Sequence, residues 1–195
     1  MRLLGTIQHL QIQRDHMKTG KSPNRVYSTK TLLVVDALKM TPRGAFGMMM
    51  DGTEIIDVHH IDHPNSRNRG NDNGVSLNFT AHYEAMRGKY GDHIAYGDVG
   101  ENILIGLNQV QTIDDLGKTV IIKDADDNTQ VILDNLMIAV PCVEFSYYIA
   151  NDRIGGSQVK EVLQFVGDGI RGYYATLAKG QKDPIIHTGD RVYTV

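Results

Sequence analysis

Cysteine is nearly missing from this sequence. Cys142 is the whole supply in 195 residues, and one thiol cannot close an internal disulfide. Long apolar runs are missing too. Nothing approaches the roughly 20 residues that a membrane-spanning helix needs, so no membrane partner is expected. After Met1-Arg2-Leu3-Leu4 come Gly5 and polar residues, which leaves no apolar core for a signal peptide; the expected location is the cytoplasm. Positive charge is not in excess. The chain has 20 basic and 23 acidic residues and a net charge of −3, so no nucleic-acid partner is expected. Gly-x-Ser-x-Gly is absent, and neither a Ser–His–Asp set nor a carboxylate pair can be argued from spacing. No internal repeat or break in composition divides the chain, and one domain over residues 1–195 is expected.

What is present reads as a globular, mostly β protein. Hydrophobic residues make up 41% and charged residues 22%, within the range of soluble domains. Short apolar runs of strand length recur at residues 3–12, 31–35, 46–50, 54–59, 119–123, 129–133, 136–140 and 170–177. Asp51-Gly52 and residues 124–128 are hairpin turns between such runs. Residues 184–187 and 191–195 are expected to pair across Thr188-Gly189-Asp190. Residues 14–30, polar and carrying Gly20 and Pro23, read as a surface excursion, and 60–74 as a long loop of the kind that is often functional. Phe79, Tyr83, Met86 and Tyr90 recur at helical spacing, which predicts a helix over 79–90. Ser157 is the expected cap of a second helix over 157–166, with Gly167 past its end. Strands at this spacing, without alternating helices, predict an antiparallel β-barrel-like fold with two or more short helices.

Three stretches could carry chemistry. Tyr96-Gly97-Asp98-Val99-Gly100-Glu101-Asn102 places two glycines around a turn and leads into the run Ile103-Leu104-Ile105. A strand follows it instead of a helix, so it is no dinucleotide or phosphate-loop fingerprint. Its plain alternative is a turn with a polar edge. Cys142 follows Pro141 at the end of an apolar run, where a side chain can face a cavity mouth. A reactive thiol needs nearby positive charge, and Arg67, Arg69 and Arg171 are the candidates. The alternative is a buried structural thiol. His59-His60-Ile61-Asp62-His63 is dense enough in imidazole and carboxylate to suggest a metal. It partly matches the His-x-His-x-Asp-His signature of the metallo-β-lactamase fold, but Val58 stands at the first histidine.

Several segments together resemble the MOSC family, the domain found at the C-terminal end of molybdenum-cofactor sulfurases and as small stand-alone proteins. They are His82-Tyr83-Glu84, Gly97-Asp98-Val99-Gly100-Glu101-Asn102-Ile103, Pro141-Cys142, Gly169-Ile170-Arg171-Gly172-Tyr173-Tyr174-Ala175 and Thr188-Gly189-Asp190-Arg191-Val192. The match runs from about residue 50 onward. Ala139-Val140 stand where many members carry a basic residue. The resemblance implies a barrel-like fold and a cysteine, here Cys142, that carries sulfur as a persulfide or contacts molybdenum. It implies a molybdenum cofactor (molybdopterin) lodged near Gly100, Glu101 and Asn102, and at family level pyridoxal phosphate binding.

In that frame Arg67, Asn68 and Arg69 are expected to grip the phosphate, with arginine giving a bidentate fork. Glu101 and Asn102 are expected to meet the pterin edge or orient Arg67. Arg171 is expected near the thiol, and Gly100 to allow close backbone approach by a ligand. The expected partners are a small-molecule cofactor or substrate, with a homodimer open. Three functions stay open: a sulfur transferase or molybdenum-cofactor-dependent oxidoreductase acting through Cys142, a non-catalytic pterin or small-anion binding module, and a zinc-dependent hydrolase using residues 59–63.

Overall fold

A twelve-residue strand carries the fold. β1 (Arg2–Gln13) turns Leu4, Ile7, Leu10 and Ile12 inward and is long enough to serve three partners. The computed structural model describes residues 1–70 and 72–195. After β1 come β2 (Lys18–Thr19), β3 (Val26–Tyr27), a 3₁₀ turn at Thr29–Thr31, β4 (Leu32–Val34), β5 (Ala37–Thr41), β6 (Gly44–Met48), β7 (Glu54–Ile56) and β8 (Val75–Phe79). The helix α1 (Thr80–Tyr90) leads to β9 (Ile103–Gly106), α2 (Ile113–Leu116), β10 (Val120–Lys123) and β11 (Thr129–Ile138). The chain continues through α3 (Val143–Ile149), α4 (Gly156–Gly167), β12 (Tyr173–Leu177), β13 (Ile185–His187) and β14 (Arg191–Thr194).

Seven strands close a barrel in the order β14-β10-β11-β12-β8-β9-β1, with β1 returning to β14. Every neighbouring pair is antiparallel except β8 and β9. A parallel pair needs a crossover, and α1 with the turn after it supplies one. β4 extends the sheet from the far half of β1, and a four-stranded sheet, β13-β5-β6-β7, packs beside it. Apolar side chains of both sheets form one core, from Leu10, Leu77, Ile105 and Leu133 to Leu38, Met40 and Ile186. A second core, with Tyr83, Val99, Phe145, Ile149 and Val166, joins α1, α3 and α4 to the barrel wall. Among the described residues no helix is long and apolar enough to cross a membrane.

The mostly β barrel predicted from the sequence is the fold observed, and two helices lie where the periodicity puts them. Other expectations need correction. Residues 129–133 and 136–140 are not two strands. β11 runs unbroken to Ile138 through a bulge between Asp134 and Met137, where Asn135 adopts a positive φ of 56°. Residues 184–187 and 191–195 do not pair with each other. β13 pairs with β5 and β14 with β1 and β10, because the turn between them is clasped by β1. Gly189 N–H donates to the Ile7 carbonyl (2.8 Å) and Ile7 N–H to the Asp190 carbonyl (2.9 Å). Residues 170–172 form a turn ahead of β12, Gly155 and not Ser157 is the N-cap of α4, and Gly167 is its last residue. The strands β5 and β8 and the helices α2 and α3 escape the sequence reading; residues 14–30 are largely exposed, as a surface excursion would be, with Met17 buried and the short β2–β3 ribbon within them. Asn71, within the long 60–74 loop, lies outside the described residues.

Close approach of β1 to β9 sets one strict requirement. A Cβ added at Gly5 would run into the Gly106 carbonyl oxygen of the neighbouring strand and stand 3.3 Å from Ile105 Cγ2. Backbone cannot swing aside as a side chain can. Gly5→Ala is therefore expected to lose about 1–3 kcal/mol of stability, read as a lower urea midpoint with an unchanged m-value.

Candidate functional site

Cys142 is the N-cap of α3, in extended conformation. Its carbonyl accepts from Ser146 N–H (3.0 Å), which starts the helix. The preceding segment is tied down by Ala139 N–H donating to the Gly172 carbonyl (3.0 Å). The half-buried thiol borders a cavity of about 250 Å³. Lys18, Arg67 and Arg171 line the same cavity, with the imidazoles of His16 and His59, and no carboxylate is among its described lining residues. Such a lining suits an anion.

Each cation arrives by a different route. Lys18 comes from β2, and Arg67 from the rim of the long loop. Arg171 sits in the turn between Gly169 and Gly172, both at positive φ. Its guanidinium lies over the Phe145 ring at 5.4 Å, and its Nε is buried without a hydrogen-bond partner. Burial works against the guanidinium charge, but Tyr174, Tyr27 and Cys142 beside it hold its pKa above the ordinary value. Asn68 Oδ1 and Asn73 Oδ1 are likewise buried and unpaired, and both residues line the cavity. Unpaired buried polar atoms are rare, and each calls for a ligand, a water or a strain. Three around one cavity mark it as a place to be filled.

Beneath the cavity lies Asp57, fully buried. Its Oδ1 accepts from His59 N–H (2.7 Å) and His59 Nδ1 (2.9 Å), and its Oδ2 from Gln13 N–H (2.7 Å) and Asn102 Nδ2 (3.0 Å). Burial raises the Asp57 pKa, but the His59 ring and these amide donors outweigh it and hold the group below the ordinary carboxylate value. An ionised carboxylate only accepts, so Nδ1 carries the hydrogen and Nε2 is left for the cavity. On the other flank, Glu144 is paired with Arg25 at 3.7 Å. Burial raises its pKa, but the local backbone amide, the Cys142 thiol, Lys18 and Arg25 lower it overall.

Of the residues singled out from the sequence, Cys142, Arg67, Asn68 and Arg171 meet around this cavity. Arg69 is exposed and not among the lining residues. Glu101 and Asn102 do not face it. Both oxygens of Glu101 lie 2.8 Å from the Tyr83 hydroxyl, which also accepts from Gly97 and Val99 N–H. Asn102 Oδ1 accepts from Ser76 N–H (2.9 Å), and its Nδ2 donates to Asp57 and Gln11. Their hydrogen-bonding capacity is spent within the protein. At Gly100 the close approach is made by protein. A Cβ there would run into Met17 Sδ and stand 2.9 Å from Gln13 Nε2. Gly100 and Glu101 border only a void of about 10 Å³.

The histidine loop does not act as one cluster. His59 is held by Asp57, His60 Nε2 is 3.2 Å from Thr41 Oγ1, and His63 Nδ1 accepts from Asn65 N–H (3.1 Å). Among the described residues no group of three His, Cys, Asp or Glu is placed to hold a metal ion. Sequence reasoning missed the Asp57–His59 dyad, Lys18, His16, Tyr27 and Tyr174. The Asp-x-His spacing was the one available signal.

Comparison with known proteins speaks to the fold. No family model matches the sequence, and no curated protein matches it. Among solved structures, the chain is similar to the YUAD protein from Bacillus subtilis, with a TM-score of 0.58 and 14% identity over 98% of this chain and 96% of that one. A second likeness, to a structure described as a hypothetical protein, has a TM-score of 0.49 and 12% identity over 84% of this chain and 63% of that one. At such identity the first likeness shows a shared fold and nothing finer.

Glu101, bonded to Tyr83 away from the cavity, carries a titration that stability reports. Burial pushes its pKa from an ordinary 4.5 up to about 7, while a local backbone amide, Tyr83 and Arg171 pull it down. A carboxyl with a raised folded pKa adds stability at low pH and loses it as pH rises. The stability attached to Glu101 should be complete below pH 4.5 and gone above about 7. The difference is on the order of 3 kcal/mol. Glu101→Gln is expected to remove that slope, so that the stability gap between variant and parent shifts in favour of the variant from pH 4.5 to 8. Chemical denaturation across pH reads it, and parallel profiles for the two proteins would show that Glu101 does not titrate in this range.

Proposed function

We propose that the protein binds a small, oxygen-rich anion in the cavity at Cys142 and uses the Cys142 sulfur on it. The ligand implied by the sequence resemblance is the molybdenum cofactor. The observation that carries the reading is the meeting, in one cavity, of the sole thiol, three cationic side chains and three buried polar atoms without partners.

The residues fit that ligand. Lys18, Arg67 and Arg171 would hold phosphate or oxo groups, and arginine offers paired donors. The unpaired acceptors of Asn68 and Asn73 and the unpaired Nε of Arg171 would meet a heterocycle edge, which presents both donors and acceptors. Soft thiolate sulfur suits such a metal. When bound, the cofactor supplies a metal at which an oxygen or sulfur atom can be transferred. A volume of about 250 Å³ lies slightly below that of typical ligand pockets and admits the reacting end of a long ligand.

The chain's own residues then have defined tasks. Tyr27, with its hydroxyl bonded to the Asp98 (3.0 Å) and Val99 (2.8 Å) carbonyls, is a fixed wall that excludes water. His59 Nε2 is placed to hold or release a proton in the cavity, with Asp57 fixing the tautomer. As a sulfur carrier, the Cys142 thiolate attacks the terminal sulfur of a donor persulfide; the donor leaves as its thiolate and Cys142 keeps one added sulfur. The small volume also favours a second reading, a binding module for a small anion without chemistry.

Protein purified without a metal-binding tag is the direct test. The expected outcome is molybdenum in elemental analysis, or a mass gain of one sulfur atom on the Cys142 peptide that a reductant removes. Cys142→Ser should fold with an unchanged melting temperature and show neither. Iodoacetamide should label the folded parent at Cys142, and molybdate or phosphate should slow the labelling. Absence of both metal and sulfur, with phosphate still bound by parent and variant alike, would leave the binding-module reading.

A further inference from the structure

A second cavity of about 450 Å³ lies next to the first, and Tyr27 lines both. We infer that this second cavity binds a neutral, planar aromatic molecule with hydrogen-bonding substituents, held on the opposite side of Tyr27 from the anion. Its volume falls within the range of small-molecule sites.

The walls are aromatic and fixed in advance. Tyr27, Tyr147 and Tyr148 line the cavity. Tyr27 and Tyr148 meet at 5.1 Å between ring centroids, and Tyr27 packs on Phe145 at 5.2 Å. Tyr148 is tethered by its hydroxyl, which donates to Asp98 Oδ2 at 2.5 Å. Burial and that carboxylate keep the phenol protonated far into alkali. Tyr147 is tied less firmly, with the Arg153 guanidinium 5.8 Å from its ring. Rings held in place lose little freedom when another ring packs against them, and aromatic pairs favour the offset and tilted geometries these walls offer.

The charge differs from that of the first cavity. Here Arg25 and Arg153 stand against Glu144 and Asp152, with His93 also in the lining. The thiol cavity has cations and no carboxylate among its described lining residues. One chamber therefore selects an anion, and the other selects against a strong charge of either sign while offering polar groups to a substituent.

The two chambers are linked at the start of α3. Cys142 lines the first and Glu144 the second, two residues on. Arg25 and Glu144, paired at 3.7 Å, both line the second chamber, and a partly exposed pair at that distance is weak enough to open. A ring in the second chamber would be separated from the thiol cavity by Tyr27, which lines both. That the bound molecule is a co-substrate rests on the reading of Cys142 given above; that it binds does not.

The test uses the whole protein, labelled with ¹⁵N and titrated with four probes. Benzamide is neutral and planar, benzoate and benzylammonium are its charged counterparts, and cyclohexanecarboxamide is neutral but not planar. Benzamide should move the amide signals of Tyr147, Tyr148 and Arg153 and bind at least tenfold more tightly than each of the others. Tyr147→Ala, with its melting temperature checked, should weaken benzamide at least tenfold and leave phosphate binding at the first cavity unchanged. Equal affinity for the four probes in the parent, shifts confined to other parts of the molecule, or benzamide binding untouched by Tyr147→Ala would each overturn the inference. Failure here with molybdenum or added sulfur present overturns this proposal alone. Benzamide binding in a protein that lacks both overturns the role of Cys142 alone.

Discussion

A buried carboxylate without a formal cationic partner has to be surrounded by donors, and Asp57 is surrounded by four. Unmet, such a charge would cost several kcal/mol. The donors come from Gln13 at the end of β1, from His59 in the turn after β7 and from Asn102 at the head of β9. Asn102 in turn grips Ser76 of β8 through its N–H and its side chain. Satisfying one charge therefore fixes the relative positions of four segments. It also sets the plane of the His59 ring and the base of the cavity in which Cys142 opens.

The same logic explains the glycine-bracketed turn of residues 97–101. It is wrapped from all sides by protein. Gln11 Nε2 donates to the Gly97 and Glu101 carbonyls and Gln13 Nε2 to that of Gly100, while Tyr83 receives two of its amides. A backbone turned so tightly exposes carbonyls and amides that must be bonded when buried. The thiol and the three cations that reach the cavity come instead from the N-cap of α3, β2, the long loop and the Gly169–Gly172 turn.

The sequence disclosed the features that depend on local chemistry. Asp51-Gly52 and residues 124–128 make hairpins, and the 3.6-residue pattern of Phe79, Tyr83, Met86 and Tyr90 makes α1. It hid features set at long range. β8 follows directly on the long loop and runs straight into α1, so the five residues Val75–Phe79, although they alternate apolar and polar, are masked by the loop and the helix on either side, and the burial of both faces is set by the neighbouring strands. The pairing of β14 is decided by β1, at the far end of the chain in the register Arg2↔Thr194. At the site, the thiol, Arg67, Asn68 and Arg171 were legible as residue types suited to an anion. Lys18 and Tyr27 were not, because nothing local in a polar stretch says that the ribbon sets these two side chains against a cavity. That Glu101 and Asn102 bond within the protein was hidden for a related reason: a polar side chain at a strand mouth looks the same whether its partner is a ligand or a buried protein group.

The barrel has its seam between the first strand and the last. β1 is made first, yet its edge stays open until β14 exists, and the turn at Gly189 and Asp190 that clasps Ile7 is made just before β14. Contacts of such sequence separation slow folding, because the loop entropy is spent before the contact forms. During synthesis Leu4 and Ile7 must wait beside an unpaired edge, in the situation that invites pairing with another chain. The strongly polar composition of the neighbouring stretch from Arg14 to Lys30 puts charge next to that edge while it waits.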